Sequence, residues 1–265
     1  MSDRTCAYCG SSGNLTREHL WPASLHQRLM RANKSTENSF WLRRINTEIA
    51  GEPKIKDVCQ KCNNGPLSQL DNYICTLFDR YFARILSRHE KIDFEYDYHL
   101  LKRWLLKLCF NSARLHSSID LFAYAPILGY INGHSQSVGR SIQLFLQLSY
   151  PGAIPPERLR DPDLQGAPRL WEPQDNRVGF MGFQVSDEDR KILRTIHLRS
   201  YSFFLAFFKP GTKTSITADF AREFLLRMPA TVILRATNTH VDLMCDGADA
   251  WRSFDGAREA SFVSS

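Results

Sequence analysis

The chain has 265 residues, 43% of them hydrophobic, and its 34 basic and 28 acidic side chains give a formal charge of +6. This is the composition of an ordinary soluble protein with enough apolar residues for a core, and the modest positive charge favours an anionic partner only weakly. The first residues form no apolar run of signal-peptide type, and no apolar stretch approaches about eighteen residues. We therefore expect a cytoplasmic protein that does not span a membrane.

The first ninety residues predict short elements joined by turns, followed by one long helix. Helices are predicted where apolar residues recur at steps of three and four, and turns where Gly, Ser, Asn or Pro cluster. In chain order, the predicted elements are a hairpin over 4–15, an extended segment over 15–21, a helix over 23–30, a loop over 31–38 and an amphipathic helix from about 62 to 88.

The remainder of the chain predicts a second long helix and then a region richer in strands. Short runs of aromatic and β-branched residues bounded by Pro and Gly are typical of strands. The predicted elements are a helix over 98–116, strands over 141–148, 178–185, 202–208 and 231–235, a surface connection over 151–173, a helix over 218–228 and a disordered tail beyond residue 251.

These elements predict an α+β protein with two parts. Residues 1–90 would form a small N-terminal module, and residues 91–265 a helical connection followed by a mixed α+β region of unknown role. The boundary between them is expected somewhere between residues 88 and 118.

Four of the seven cysteines form two Cys-x-x-Cys pairs, Cys6 with Cys9 and Cys59 with Cys62. A two-residue gap lets one tight turn direct both sulfurs at a single tetrahedral ion. Four thiolates make a closed structural zinc site, so we expect the zinc to staple the module rather than to react. The other cysteines, Cys75, Cys109 and Cys245, are isolated and are expected to be buried as small apolar side chains.

The order Cys-x-x-Cys, then Glu-His-Leu-x-Pro at residues 18–22, then Cys-x-x-Cys-Asn at residues 59–63 resembles the HNH endonuclease family, of the zinc-stapled ββα-metal type. The resemblance covers residues 4–75. It implies that His19 is the general base, and that Glu18 and Asn63 hold a divalent cation, Mg²⁺ or Mn²⁺.

Some positions of the family pattern stay open in this chain. Asn64 directly follows Asn63 and is an alternative cation ligand. Glu18 stands where Asp is commoner in the family. The middle Asn of the pattern has no clear counterpart, and Asn33, Asn38 and Asn46 are candidates, with Asn46 slightly favoured.

The chemistry of phosphodiester cleavage explains these residue types independently. The attacking water must lose a proton, which a neutral imidazole can accept near neutral pH. A hard cation beside the phosphate takes oxygen ligands such as a carboxylate or an amide carbonyl. Because neighbouring side chains of a strand point to opposite faces, Glu18 and His19 could approach a phosphate from two sides.

Residues 1–70 hold ten basic and six acidic side chains, which favours contact with DNA phosphates. Arg17, Arg43 and Arg44 are the candidate contacts, and the partner is expected to be double-stranded DNA. The sequence thus predicts an HNH endonuclease, and a restriction or phage-defence effector is one form that such an enzyme takes. The C-terminal region is the candidate site for a regulatory partner or a second copy of the chain. The alternative is a non-catalytic zinc-knuckle adaptor that binds nucleic acid or protein.

Overall fold

The computed structural model describes residues 5–33, 39–42, 47–136, 142–164, 166, 169–173, 176–186 and 189–253. The chain forms two compact units, and each draws on two separate stretches of sequence. Unit 1 comprises Met1–Ala83 and Tyr96–Gly139, and unit 2 comprises Arg84–Glu95 and Arg140–Ser265. Helices and strands occur in both, which confirms the α+β class. Where the sequence analysis placed one boundary, the structure divides the chain at three points.

Unit 1 combines two small antiparallel strand pairs with a group of helices. Its elements are β1 (Leu15–His19), α1 (Ala23–Asn33), β2 (Ser39–Leu42), β3 (Thr47–Ala50), β4 (Lys54–Cys59), α2 (Gln60–Cys62), α3 (Ser68–Leu77), α4 (Tyr98–His116) and α5 (Leu128–Ile131). β1 pairs with β4, and β2 pairs with β3. The β1–β4 register places Leu15 opposite Cys59 and His19 opposite Lys54.

The helical run after the second cysteine pair is interrupted rather than continuous. A π-helical turn over Asn63–Leu67 separates α2 from α3, and a second over Phe78–Phe82 follows α3. Gly65 has non-helical dihedral angles (φ −100°, ψ −108°), and the next residue is Pro66, which has no amide hydrogen to donate. The run ends at Phe82, so the predicted extension to Arg88 is wrong.

Helix α4 occupies the predicted residues and lies at the centre of unit 1. Asp97 caps its first turn by accepting a hydrogen bond from the Leu100 amide (2.9 Å), and Ser117 ends it in the left-handed conformation (φ 50°). Trp104 of α4 packs against Trp21 with 6.2 Å between ring centroids. Fully buried apolar residues from three helices complete this core: Leu25, Leu70, Ile74, Leu101, Leu105 and Leu108.

Unit 2 is built on a six-stranded sheet. Its elements are β5 (Lys91–Glu95), β6 (Ile142–Tyr150), β7 (Gly152–Ala153), β8 (Leu170–Trp171), β9 (Asn176–Ser186), β10 (Asp189–Leu198), β11 (Tyr201–Phe207), α6 (Thr214–Arg227), β12 (Thr231–Leu234), β13 (His240–Met244) and β14 (Ala248–Asp249). The sheet order is β12-β6-β11-β10-β9, with β14 parallel to β6, and β5 pairs separately with β13.

Helix α6 covers this sheet through a cluster of aromatic side chains. Phe220 and Phe224 of α6 meet Phe145, Phe183 and Phe204 from three strands. The strands predicted at 141–148, 178–185, 202–208 and 231–235 are confirmed as β6, β9, β11 and β12, and the last predicted helix is confirmed as α6. β10 was not predicted, and the connection over 151–173 includes β7 and β8. Disorder was predicted beyond residue 251, but residues 251–253 are helical, and the tail from residue 254 lies outside the described residues.

Candidate metal centre and active site

The four predicted cysteines meet in unit 1. Their sulfur atoms all lie within 4.8 Å of one another, and Cys9 Sγ is 3.7 Å from Cys59 Sγ. Tetrahedral zinc with Zn–S bonds of about 2.3 Å separates its sulfurs by about 3.8 Å. The cluster could therefore hold a metal ion, and its donor set is compatible with structural zinc.

Local backbone geometry explains how the two pairs converge. The first pair lies on a tight turn that closes with a hydrogen bond from the Gly10 amide to the Cys6 carbonyl (2.8 Å), and Gly10 has the positive φ of 73° that this turn requires. Cys59 ends β4 opposite Leu15, and Cys62 lies one helical turn later. The β1–β4 pairing thus carries the second cysteine pair to the first.

Two of the cysteines lie in surroundings that favour the thiolate, which is the form that binds metal. The Ser11 hydrogen bond lowers the pKa of Cys9 to about 6. Burial acts to raise the pKa of Cys59, but hydrogen bonds, first among them the one from the Cys62 amide, outweigh it and lower the pKa. The cysteines outside the cluster, Cys75, Cys109 and Cys245, are buried as predicted.

His19 ends β1 and pairs with Glu52, a residue that the sequence analysis did not consider. The imidazole Nδ1 and the Glu52 carboxylate are hydrogen-bonded. The His19 side chain is 27% exposed, whereas that of Glu52 is only 9% exposed. A carboxylate on Nδ1 fixes the ring and selects the tautomer with its lone pair on Nε2. In that tautomer Nε2 is the ring nitrogen that can accept a proton.

The adjacent residue, Glu18, has different surroundings. Its side chain is 5% exposed, and Oε1 lies 2.8 Å from Nζ of Lys107 on α4. Asn111, one helical turn further along α4, donates to the same oxygen (3.2 Å) and to the His19 carbonyl (3.0 Å). Glu18 thus joins β1 to α4 in a buried ion pair, and no hydrogen bond or ion pair among the described residues links it to His19 or Asn63.

Lys107 holds a second carboxylate as well as Glu18. Its ammonium lies 2.6 Å from both carboxylate oxygens of Asp71 on α3. Burial acts to lower the pKa of Lys107, but the charges of Asp71 and Glu18 outweigh it and raise the pKa. Burial raises the pKa of Asp71, and the Lys107 ammonium opposes that rise. The proton therefore stays on Lys107, between two carboxylates that join β1, α3 and α4.

Asn63 follows the last cysteine directly and is tied to β1. Its amide nitrogen donates to Thr16 Oγ1 (2.9 Å) and to the Arg17 carbonyl (3.2 Å). The β1–β4 ladder is irregular between Thr16 and Arg17, so a side chain is needed to satisfy that carbonyl. Both hydrogen bonds use the nitrogen, and no hydrogen bond within the described residues engages Oδ1, the atom that a hard cation would take.

The other predicted positions are only partly described. Arg17 and Asn64 are exposed, and Asn33 ends α1. Arg43, Arg44, Asn38 and Asn46 lie outside the described residues.

Replacing Lys107 by Met is expected to destabilise unit 1 by about 3–5 kcal/mol, because two partly or fully buried carboxylates lose their shared cation. The change is measured by thermal or denaturant unfolding. Lys102 provides a matched control, since it is on the same helix and equally buried at 2% exposure. Burial lowers the pKa of Lys102 to about 8, so Lys102→Met removes a charge that burial disfavours. Equal destabilisation by both variants would contradict the role given to the Glu18–Lys107–Asp71 group.

Comparisons of the chain with protein-family models, with curated proteins and with solved structures found no match. The resemblance to HNH endonucleases therefore depends on the motifs quoted above. In the part of the chain that the structure describes, no helix combines the length and the apolar character needed to cross a membrane.

Proposed function

We propose that this protein is a metal-dependent HNH endonuclease that hydrolyses DNA phosphodiester bonds, with its four-cysteine cluster binding structural Zn²⁺. The observation that carries the proposal is the hydrogen bond between His19, at the end of β1, and Glu52, which lies just before β4. β1 pairs with β4, which joins the two cysteine pairs, and Asn63 is anchored to β1 by two hydrogen bonds. A base, its orienting carboxylate and a free amide oxygen are thus attached to one short strand pair.

His19 would remove the proton from the attacking water through Nε2. Glu52 would hold the Nδ1 hydrogen and stabilise the imidazolium that forms, as a buried carboxylate does for other catalytic histidines. Attack of water on phosphorus with departure of the 3′ oxygen leaves a 3′-hydroxyl and a 5′-phosphate. The expected substrate is double-stranded DNA, and the exposed Arg17 is available for a phosphate contact.

The predicted cation ligands fit this arrangement only in part. Mg²⁺ or Mn²⁺, which the family resemblance implies, would take Asn63 Oδ1 as one ligand and offset charge on the departing oxygen when bound. Glu18 does not fit as the second ligand in the described arrangement, because its side chain is buried and Lys107 and Asn111 both engage its Oε1. We therefore give Glu18 a structural role and no step in the reaction.

The proposal is tested by incubating the purified full chain with supercoiled plasmid and Mg²⁺ or Mn²⁺. Conversion to nicked or linear DNA that EDTA stops is the expected result, with about one zinc per chain. The ends are then analysed for 5′-phosphate. Zinc-loaded protein that cuts none of several DNA and RNA substrates would overturn the proposal.

A non-catalytic adaptor is the second candidate, and the burial of Glu18 favours it. The Glu18 carboxylate is paired with the buried ammonium of Lys107, which is a structural role. The presence of Glu18 next to His19 is therefore not by itself a sign of catalysis. An adaptor would bind zinc and nucleic acid or protein without cutting DNA. The same plasmid assay distinguishes the two candidates.

Replacing Glu52 by Gln is expected to lower the nicking rate by about 10- to 100-fold, as for other residues that orient a histidine. Glutamine can still accept a hydrogen bond from Nδ1 but no longer stabilises the imidazolium. The melting temperature should stay near that of the parent, because the hydrogen bond from Nδ1 is kept. Glu157→Gln removes the same charge from an exposed position in unit 2 and serves as the control. A lower rate that is fully accounted for by a smaller folded fraction would indicate that Glu52 supports the fold only.

A further inference from the structure

Unit 2 contains a small cavity that the proposed nuclease function does not use. The cavity has a volume of about 20 Å³, counted as positions open to the centre of a water-sized group, and it is partly open to solvent. The polar and aromatic residues that matter here are Ser149, Trp171, Arg177, His197, Arg199 and Ser202. Among the described residues that line it, two carry a permanent positive charge and none is acidic.

Arg199 occupies an unusual position for an arginine. It lies in the two-residue turn between β10 and β11, is 5% exposed and has a positive φ of 54°. A residue other than Gly or Asn is strained in this conformation, and such strain is concentrated at functional sites. Burial lowers the pKa of Arg199, while the carboxylate of the exposed Glu172 acts in the opposite direction. A turn that needed only to join two strands would be served better by Asn.

Arg177 brings a second guanidinium to the cavity. It lies on β9 directly opposite His197 of β10. One of its terminal nitrogens donates to the Ser253 carbonyl (3.3 Å). Its Nε is buried and has no hydrogen-bond partner among the described residues. A buried N–H group of an arginine without a partner is costly, and an acceptor in the cavity would remove that cost.

His197 lies between these arginines without adding a charge. Burial, together with the charge of Arg177, lowers the pKa of His197 to about 3, so the ring is neutral near pH 7. Its Nδ1 is 2.9 Å from Ser202 Oγ, and Ser149 Oγ is 3.5 Å from the same hydroxyl. The cavity therefore combines two guanidinium groups with hydroxyls and a neutral imidazole.

We propose that this cavity binds the phosphate group of a small ligand. The planar fork of an arginine matches the oxygens of a phosphate, and two such groups with adjacent hydroxyls suit a compact oxyanion. A neutral histidine can also donate or accept a hydrogen bond there without repelling the arginines. This binding site is independent of the proposed nuclease chemistry in unit 1.

The test is a titration of the full chain with inorganic phosphate at constant ionic strength. Binding is measured by calorimetry and by thermal unfolding. Saturable binding is expected. Arg199→Asn should weaken it by about 10- to 100-fold, as expected for loss of one charged hydrogen bond. Asparagine tolerates positive φ, so this variant should retain its fold. Arg177→Gln, which changes a residue in a regular strand, should weaken binding similarly.

The matched control is Arg222→Gln, which removes the same charge from an exposed position on α6. It should bind phosphate as the parent does. Parallel titrations with a nucleoside monophosphate and a short DNA duplex show whether the bound phosphate belongs to a small molecule or to nucleic acid. The proposal is overturned if phosphate does not bind saturably, if the duplex alone binds, or if both cavity variants retain the parent affinity.

Discussion

Replacing His19 by Ala is expected to lower plasmid nicking by about 10²- to 10⁴-fold, the usual contribution of a general base. Zinc content should stay at the parent level, because His19 is not part of the four-cysteine cluster. The rate is measured with supercoiled plasmid and Mg²⁺ or Mn²⁺, and zinc is measured by mass spectrometry. The effect is large because His19 is the group that would take the proton from the attacking water, with its Nδ1 hydrogen-bonded to Glu52.

His19→Ala also leaves the nearly buried Glu52 without its partner, and this has a structural cost of its own. His19→Asn separates the two effects. An asparagine amide can donate to the Glu52 carboxylate but cannot act as a base near neutral pH. We expect both variants to lose cutting, with the melting temperature of His19→Asn nearer that of the parent. If either variant nicks DNA as fast as the parent, His19 is not the base.

The metal cluster was predictable because its signal is local. Each Cys-x-x-Cys pair needs one turn, and two such pairs together supply the four thiolates of a tetrahedral site. Helix α4 was predictable for a similar reason, since its apolar stripe is visible within twenty residues of sequence. In each case the chemical property and its structural consequence lie in the same short segment.

Glu52 and Lys107 could not be predicted in this way, because their partners are set by tertiary structure. Glu52 reaches His19 only when the β1–β4 register places Lys54 opposite that histidine. Lys107 is one of two lysines on α4, and the sequence around it does not show that it is buried between Glu18 and Asp71. Glu18 is of a residue type that binds cations, but in the structure its carboxylate is paired with the ammonium of Lys107.

The division of the chain into two units could not be predicted either, because it also depends on tertiary structure. β5 follows the helices of unit 1 by only a few residues, yet it pairs with β13 about 150 residues later. The chain then returns to unit 1 with α4. β10 was missed because its sequence is rich in charged residues, although it is an inner strand of the sheet between β9 and β11. Strand pairing over such distances leaves no periodic signal.

Replacing Cys59 by Ser is expected to abolish zinc binding and the folded state of unit 1. Cys59 ends β4, and its sulfur lies 3.7 Å from that of Cys9 in the N-terminal turn. Structural zinc contributes about 10–16 kcal/mol of apparent binding free energy in small zinc modules. The β1–β4 pair has only two strands, and such a pair is marginal on its own. We expect zinc to fall from about one per chain to none, together with loss of the unit 1 unfolding transition.

Cys75→Ala is the matched control, since Cys75 is also buried in unit 1 but lies outside the cluster and contacts Ser24. It should keep its zinc and lose no more than about 1–2 kcal/mol of stability. Cys59→Ser should also lose nicking, because His19, Glu52 and Asn63 are all held by the strand pair that the cluster joins. Full zinc content in Cys59→Ser would contradict four-thiolate binding. Loss of zinc with an intact fold and intact nicking would instead show that the metal does not position the proposed active site.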